Sequence, residues 1–232
     1  MTKHFPLKSE LVAIFEVFEA LEHPFMFVGG STIPLLITDP TIQEFRPTQD
    51  VDVVVEILSR SKYEYFTEHL RAIGFNPDAS MGAPLCRYLY RGLKVDVMPL
   101  DEMILGFGNH WYKDALLHIQ HILIEQHQIP IMAAPYFLAT KMFAFEIRGN
   151  SDFYGSRDLE DMLTILDGRV EIFQELSLTS ESVKNYLREA FDKLLSNINF
   201  IYCVPAHLVQ DSRNAMRSAN LLRNLKAFAK KV

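Results

Sequence analysis

The tightest constraint on this chain lies in residues 27–52, which open Phe27-Val28-Gly29-Gly30-Ser31 and close Thr48-Gln49-Asp50-Val51-Asp52. Two adjacent glycines after an apolar run let the backbone turn sharply and present its N–H groups, because neither carries a Cβ. Ser31 is placed to cap a helix that begins there, and a helix N-terminus favours phosphate. Twenty residues on, Asp50 and Asp52 precede a β-branched run. On a strand, residues i and i+2 share a face, so both carboxylates point one way while Val51, Val53 and Val55 point into a core. Two carboxylates side by side repel each other unless a cation lies between them. A phosphate cradle next to a metal-binding carboxylate pair implies metal-assisted chemistry on a nucleotide.

Around this stretch the apolar pattern predicts the elements. Leu11, Ile14, Phe15, Phe18 and Leu21 recur at helical spacing, giving a helix over 7–21 that Pro24 ends. Strands follow at 25–28 and 51–57, joined by a helix from Ser31 and a loop over 38–48 that holds Pro40 and Pro47. A helix over 61–73 ends at Gly74, where glycine suits a C-terminal cap. Residues 85–91 and 93–99 alternate around Gly92 as a hairpin, with Asp96 on its second strand. After a loop at Asn109-His110-Trp111 come short strands over 116–124 and 129–133, the first carrying His118 and His121 as structural residues. At Ala134 the period turns helical: 136–147, 156–166, 179–195 and 212–230, with Gly149-Asn150-Ser151 ending the first. The fold class expected is α+β, a mixed β-sheet with flanking helices followed by a helical C-terminal region. The domains expected are 1–134 and 135–232.

Composition removes several classes of function. The 232 residues, 49% hydrophobic and 12% aromatic, describe a globular chain with length enough for a sizeable core. No apolar run approaches the ~20 residues of a membrane span, and the N-terminus lacks a signal-peptide core, so a cytoplasmic protein with no membrane partner is expected. Cys86 and Cys203 stand far apart in no metal-ligand spacing and read as reduced and structural. The net charge of −6 is unevenly spread: six basic and no acidic residues follow Asp211, leaving −12 on residues 1–211. An acidic body discourages indiscriminate binding of nucleic acid, whereas a basic terminal helix could hold one phosphate backbone or merely balance that body.

Gly29-Gly30-Ser31, Thr48-Gln49-Asp50-Val51-Asp52 and the strand aspartate of Lys94-Val95-Asp96-Val97 together resemble the signature of the DNA-polymerase-β-type nucleotidyltransferase superfamily. Tyr136-Phe137-Leu138-Ala139-Thr140-Lys141-Met142-Phe143-Ala144 and Arg157-Asp158-Leu159-Glu160-Asp161 resemble helices of the AbiEii-like toxin nucleotidyltransferases, the likeness covering roughly residues 20–170. The resemblance implies a nucleotidyltransferase fold and transfer of an NMP from an NTP to an acceptor hydroxyl, assisted by Mg²⁺ or Mn²⁺. It also implies an acceptor such as an RNA or tRNA 3′ end, reached through the basic C-terminal helix, and a cognate antitoxin. A small-molecule acceptor, as in antibiotic nucleotidyltransferases, and a non-catalytic nucleotide-binding regulatory module are the alternatives.

The residues then take expected roles. Hard divalent cations prefer carboxylate oxygens, so Asp50 and Asp52 would bind the metals, with Asp96 as third ligand or general base. Gly29, Gly30 and Ser31 would hold phosphates; Thr48 would orient the Asp50 strand, cap the loop or touch nucleotide, and Arg46 would reach a phosphate. Lys141, set in an apolar helix, either faces the triphosphate, as the family likeness implies, or snorkels at a rim. Asp158 and Asp161, one turn apart beside Arg157, contact nucleotide or tie helices together.

Overall fold

Leu11, Ile14, Phe15 and Phe18 do form one buried stripe, on α1 (Lys8–Glu19). After it come β1 (Phe25–Val28), a 3-10 turn (Gly30–Thr32), α2 (Ile33–Leu36), β2 (Asp50–Val55), α3 (Arg60–Ala72), β3 (Asn76–Pro77), β4 (Arg87–Tyr90) and β5 (Leu93–Pro99). A second 3-10 turn (Glu102–Ile104) leads to α4 (Trp111–Leu116), β6 (Ile119–Ile124) and β7 (His127–Met132). The remaining elements are helices: α5 (Ala134–Arg148), α6 (Arg157–Gly168), α7 (Ile172–Leu178), α8 (Glu181–Leu195), α9 (Ile198–His207) and α10 (Asn214–Ala229). This computed structural model describes residues 8–43, 45–46, 48–149 and 152–230. Residues 1–7, Pro47, Asn150, Ser151 and Lys231, which entered the reading of the sequence, lie outside them.

The fold is α+β, as expected, and the chain divides into two compact units. One comprises the residues up to Thr32 and Arg46–Ala133; the other comprises Ile33–Phe45 and the residues from Ala134 onward. The first unit holds a seven-stranded mixed sheet in the order β3-β4-β5-β2-β1-β7-β6. β2 runs parallel to β5 and antiparallel to β1, so Val28, Asp52 and Asp96 lie in one row across three strands. Alternation sends Val51, Val53 and Val55 to the opposite face, where they are fully buried. Aromatic rings cover that side: Phe18 lies 5.4 Å from Phe25, 6.2 Å from Phe66 and 6.0 Å from Phe75, and Phe75 stacks on Tyr90 at 4.1 Å. Such ring pairs add roughly 0.5–1.5 kcal/mol each beyond burial. No helix of the described residues is long and apolar enough to cross a membrane.

The second unit gathers its helices around an early piece of chain. The amides of Thr38 and Asp39 donate to the Gly168 carbonyl at 3.0 and 2.9 Å. Buried Arg169 donates to the Leu36 carbonyl at 2.7 Å while gripping Glu175 with a two-pronged contact. Arg217 of α10 reaches Asp167 at 2.8 Å and Asp39 at 3.4 Å.

Several local expectations change. The helix expected from Ser31 is a 3-10 turn followed by one turn of α2, and the Ser31 hydroxyl donates back to the Val28 carbonyl at 3.4 Å instead of capping. Trp111 opens a helix, α4, so the strand expected over 116–124 starts at Ile119. His118 therefore lies in the turn after α4, its ring Nδ1 2.9 Å from the Asp114 carbonyl, and His121 stays on the strand. Helices α7 and α9 had no clear signal: α7 is seven residues long, and α9 contains Pro205 within a β-branched, aromatic run that also suits a strand.

The charge of α10 is less available than its sequence suggests. The Arg217 side chain is only 10% exposed, and Arg213 pairs with Asp211 at 2.8 Å. Burial pushes the Asp167 carboxyl above its ordinary range although Arg217 pulls it back, so the pair is a desolvated one. Removing one partner of such a pair leaves an uncompensated buried charge, at about 3–5 kcal/mol. Arg217→Gln should therefore destabilise the helical unit by about that much in urea unfolding, whereas Arg223→Gln on the exposed side should stay within about 0.5 kcal/mol.

Candidate active site

The acidic face of the sheet is set by register. Asp52 pairs with Asp96 across the parallel β2–β5 ladder, and Asp96 pairs with Arg87 across the antiparallel β5–β4 ladder. Residues opposite each other on neighbouring strands share a face. Asp50, two residues before Asp52, joins them there and has Lys94 as its register partner. This face of the sheet therefore carries three carboxylates together with Arg87 and Lys94.

Arg87 grips this face closely. Its Nε and Nη2 donate to the two Asp96 oxygens, each at 2.7 Å, and Nη2 also donates to Asp50 Oδ2 at 2.7 Å. The guanidinium thus bridges two of the expected metal ligands. The Asp96 contact raises its pKa above the ordinary value despite partial burial, so it stays charged at any working pH. Asp96 is 7% exposed, and a carboxylate so deeply placed requires a partner of this kind.

The double-glycine turn lies beside the same row. Gly29 has a φ of +71°, and a Cβ there would collide with the Asp52 carboxylate. Any other residue would suffer both left-handed backbone strain and that clash. At Gly30 a Cβ would lie 3.4 Å from the Thr48 hydroxyl and 3.9 Å from an Arg46 guanidinium nitrogen. Thr48 donates to Asp50 Oδ1 at 2.8 Å, which restrains that carboxylate. Thr32 closes the turn by donating to the Gly29 carbonyl at 2.8 Å. Thus Gly29, Gly30, Ser31, Arg46, Thr48, Asp50, Asp52 and Asp96 all meet in the first unit.

Can these residues hold a divalent ion? The donors are hard carboxylate oxygens of the kind Mg²⁺ and Mn²⁺ take. The space between Asp50 and Asp96 already contains a positive charge, the Arg87 guanidinium. No group of three or more acidic, histidine or cysteine side chains among the described residues converges on one point. The carboxylates therefore fit the ion in the kind of donor they offer, while Asp50 and Asp96 are at present joined through Arg87. Cys86, next to it, offers no competing thiolate, since burial and then the Asp96 and Asp52 charges push its thiol up to about 12. Burial likewise pushes Cys203 up to about 11, and both cysteines are free and buried.

The second unit holds the other expected residues. Lys141 of α5 is 16% exposed, with its Nζ 2.7 Å from Asp161 and 3.4 Å from Asp158 on α6. It also lies 5.6 Å from the centre of the Phe137 ring. Arg148 holds Asp158 from the other side at 2.9 and 3.0 Å. Arg157, at the start of α6, is exposed.

Arg87 and Arg148 are the participants that the sequence reading passed over. Arg87 had a signal. Arg91 and Gly92, both at positive φ, make a two-residue hairpin turn, and counting back symmetrically from it pairs 87 with 96.

The chain is similar in structure to an antigenic nucleotidyltransferase-like protein from Paracoccidioides brasiliensis, at 17% identity and a TM-score of 0.48, covering 86% of this chain and 92% of that one. It is also similar to the lincosamide antibiotic adenylyltransferase LnuA bound to lincomycin, at 16% identity and a TM-score of 0.43, covering 68% of this chain and 96% of that one. No family model matches the sequence, and no curated protein matches it.

Burial pushes the Asp158 carboxyl up, but hydrogen bonds from Arg148 and the Lys141 charge outweigh it and hold the group below its ordinary 3.8. A depressed folded value means the stabilisation is fully present above the unfolded pKa and is lost as pH falls through the folded one. Stability of the helical unit should therefore fall off below about pH 4, and Asp158→Asn should flatten that acid limb when unfolding is followed against pH.

Proposed function

We propose that this chain is a metal-dependent nucleotidyltransferase, which moves an NMP from an NTP to an acceptor hydroxyl and releases pyrophosphate. The observation that carries the reading is the row of Asp52 and Asp96 in register, with Asp50 on the same face, beside the Gly29–Gly30 turn. The resemblance of these motifs to the DNA-polymerase-β-type superfamily supports it.

In this reading Asp50 and Asp52 would hold Mg²⁺ or Mn²⁺, and Thr48 restrains the Asp50 carboxylate. The divalent ions, when bound, supply an acidified acceptor hydroxyl and offset the charge of the triphosphate. Backbone N–H groups at Gly29 and Gly30, with Arg46 beside them, receive phosphate oxygens. The acceptor oxygen forms a bond to the α-phosphorus while the bond from that phosphorus to the β-phosphate bridging oxygen breaks. Its electron pair leaves with pyrophosphate, and the hydroxyl proton passes to Asp96 or to water. Three carboxylates on one face favour turnover over a regulatory module, since binding a nucleotide requires fewer.

The finer reading concerns the acceptor. Resemblance to the AbiEii-like toxins favours an RNA 3′ end and a cognate antitoxin. The pairing of Arg217 with Asp167 and Asp39 instead favours a small hydroxylated acceptor, because it leaves Arg223 and Lys226 as the exposed cations of α10. Binding of RNA through that helix would weaken steeply with salt.

The test is incubation of purified protein with each labelled NTP, Mg²⁺ and either total RNA or small hydroxylated acceptors. Label should pass to one acceptor class with pyrophosphate released. Asp50→Asn and Asp52→Asn should each slow transfer by about 10²–10³-fold or more, as loss of a principal electrostatic group does, with unchanged circular dichroism. Near-normal turnover in either variant contradicts the reading.

A further inference from the structure

We infer that Arg87 is a tethered counter-cation of the acidic site, which holds Asp50 and Asp96 together without metal and must release them when a divalent ion enters. The inference rests on the function proposed above and concerns the control of that same site.

Three observations carry it. First, the contact is built by the fold: Arg87 stands opposite Asp96 in the β4–β5 ladder, two strands from Asp52 in the same row. Second, the guanidinium engages both Asp96 oxygens and one of Asp50, so it occupies the approach an ion would need. Third, Arg87 is 18% exposed and Asp50 is 31% exposed, so the contact is only partly shielded from water.

The physical consequence is competition. Like charges cannot share the space between two carboxylates a few ångströms apart, so guanidinium and metal exclude each other there. Without Arg87 the face would carry three carboxylates whose repulsion opposes folding. With Arg87 fixed on them, an ion would have to share Asp50 with the guanidinium. An arginine that exchanges places satisfies both demands: it keeps the empty site folded, and it makes the site selective for ions that arrive with a compensating ligand. A metal–nucleotide complex provides one, because its phosphate oxygens can receive the displaced guanidinium in a two-pronged contact. Arg87 is thus a positioning residue, and its expected effect falls on metal affinity.

The experiment measures Mn²⁺ binding by titration calorimetry to the full chain without nucleotide. Arg87→Gln should bind Mn²⁺ at least about tenfold more tightly than wild type, by the same logic that lets one neighbouring charge move a protonation equilibrium by one to three powers of ten. Asp50→Asn in that background should abolish the gain. If Arg87→Gln does not fold, Arg87→Lys, which keeps the charge but loses the fork, should show a smaller gain in the same direction. In wild type, the Arg87 Nε–H resonance should exchange slowly with water in EDTA and quickly with saturating Mg²⁺ and a non-hydrolysable NTP. Equal Mn²⁺ affinity in wild type and the variant, or an Nε–H that stays protected at saturation, overturns the inference. If transfer by that wild type still requires metal, the proposed function stands and only the role of Arg87 fails. If neither protein binds Mn²⁺ and transfer is absent, both fail.

Discussion

The register of the β4–β5–β2 ladders decides what this protein can do. A shift of one residue between β2 and β5 would send Asp50 and Asp52 into the apolar face and bring Val51 and Val53 to the acidic one. That shift is opposed from both sides. Val51, Val53 and Val55 are buried under the aromatic cluster of α1 and α3, and Asp96 is held by Arg87 at two points. Burying the apolar side of the strands is what places charge on the other side, so packing and chemistry are fixed by one choice.

Glycine has a matching role at the edge of that row. The chain must pass so close to Asp52 at Gly29 that no side chain fits, and it must do so at positive φ. The result is a backbone turn next to a carboxylate, where N–H groups and negative charge lie together. A phosphate entering such a turn is attracted by the N–H groups and by Arg46 and repelled by Asp52, unless a cation lies between. Under the proposed function, the turn and the carboxylates would therefore take a metal–phosphate complex in preference to either component separately.

Much of this arrangement was legible in the sequence because it depends on local period. Alternation along Asp50–Val55 placed both aspartates on one face, and Gly92 marked the hairpin that carries Asp96. What was not legible depends on pairing between distant residues. Lys141 looked like a lone cation in an apolar helix, yet Asp158 and Asp161 come from the next helix to meet it. The tail after Asp211 looked uniformly basic, yet Arg217 is spent on Asp167 and Asp39. Charge counts see residues one at a time, whereas burial charges them against partners far away in the chain. Ser31 shows the same limit at short range, since its hydroxyl turned back to Val28 instead of forward into a helix.

The central claim is that a divalent ion and a triphosphate meet on the Asp50–Asp52 face beside the glycine turn. Its most direct test is anomalous diffraction from crystals grown with Mn²⁺ and a non-hydrolysable NTP. The account predicts a Mn²⁺ peak about 2.1 Å from carboxylate oxygens of Asp50 and Asp52, with phosphate oxygens against the Gly29–Gly30 amides. Nucleotide bound with no Mn²⁺ at those two aspartates, or with its phosphates away from that turn, would contradict it.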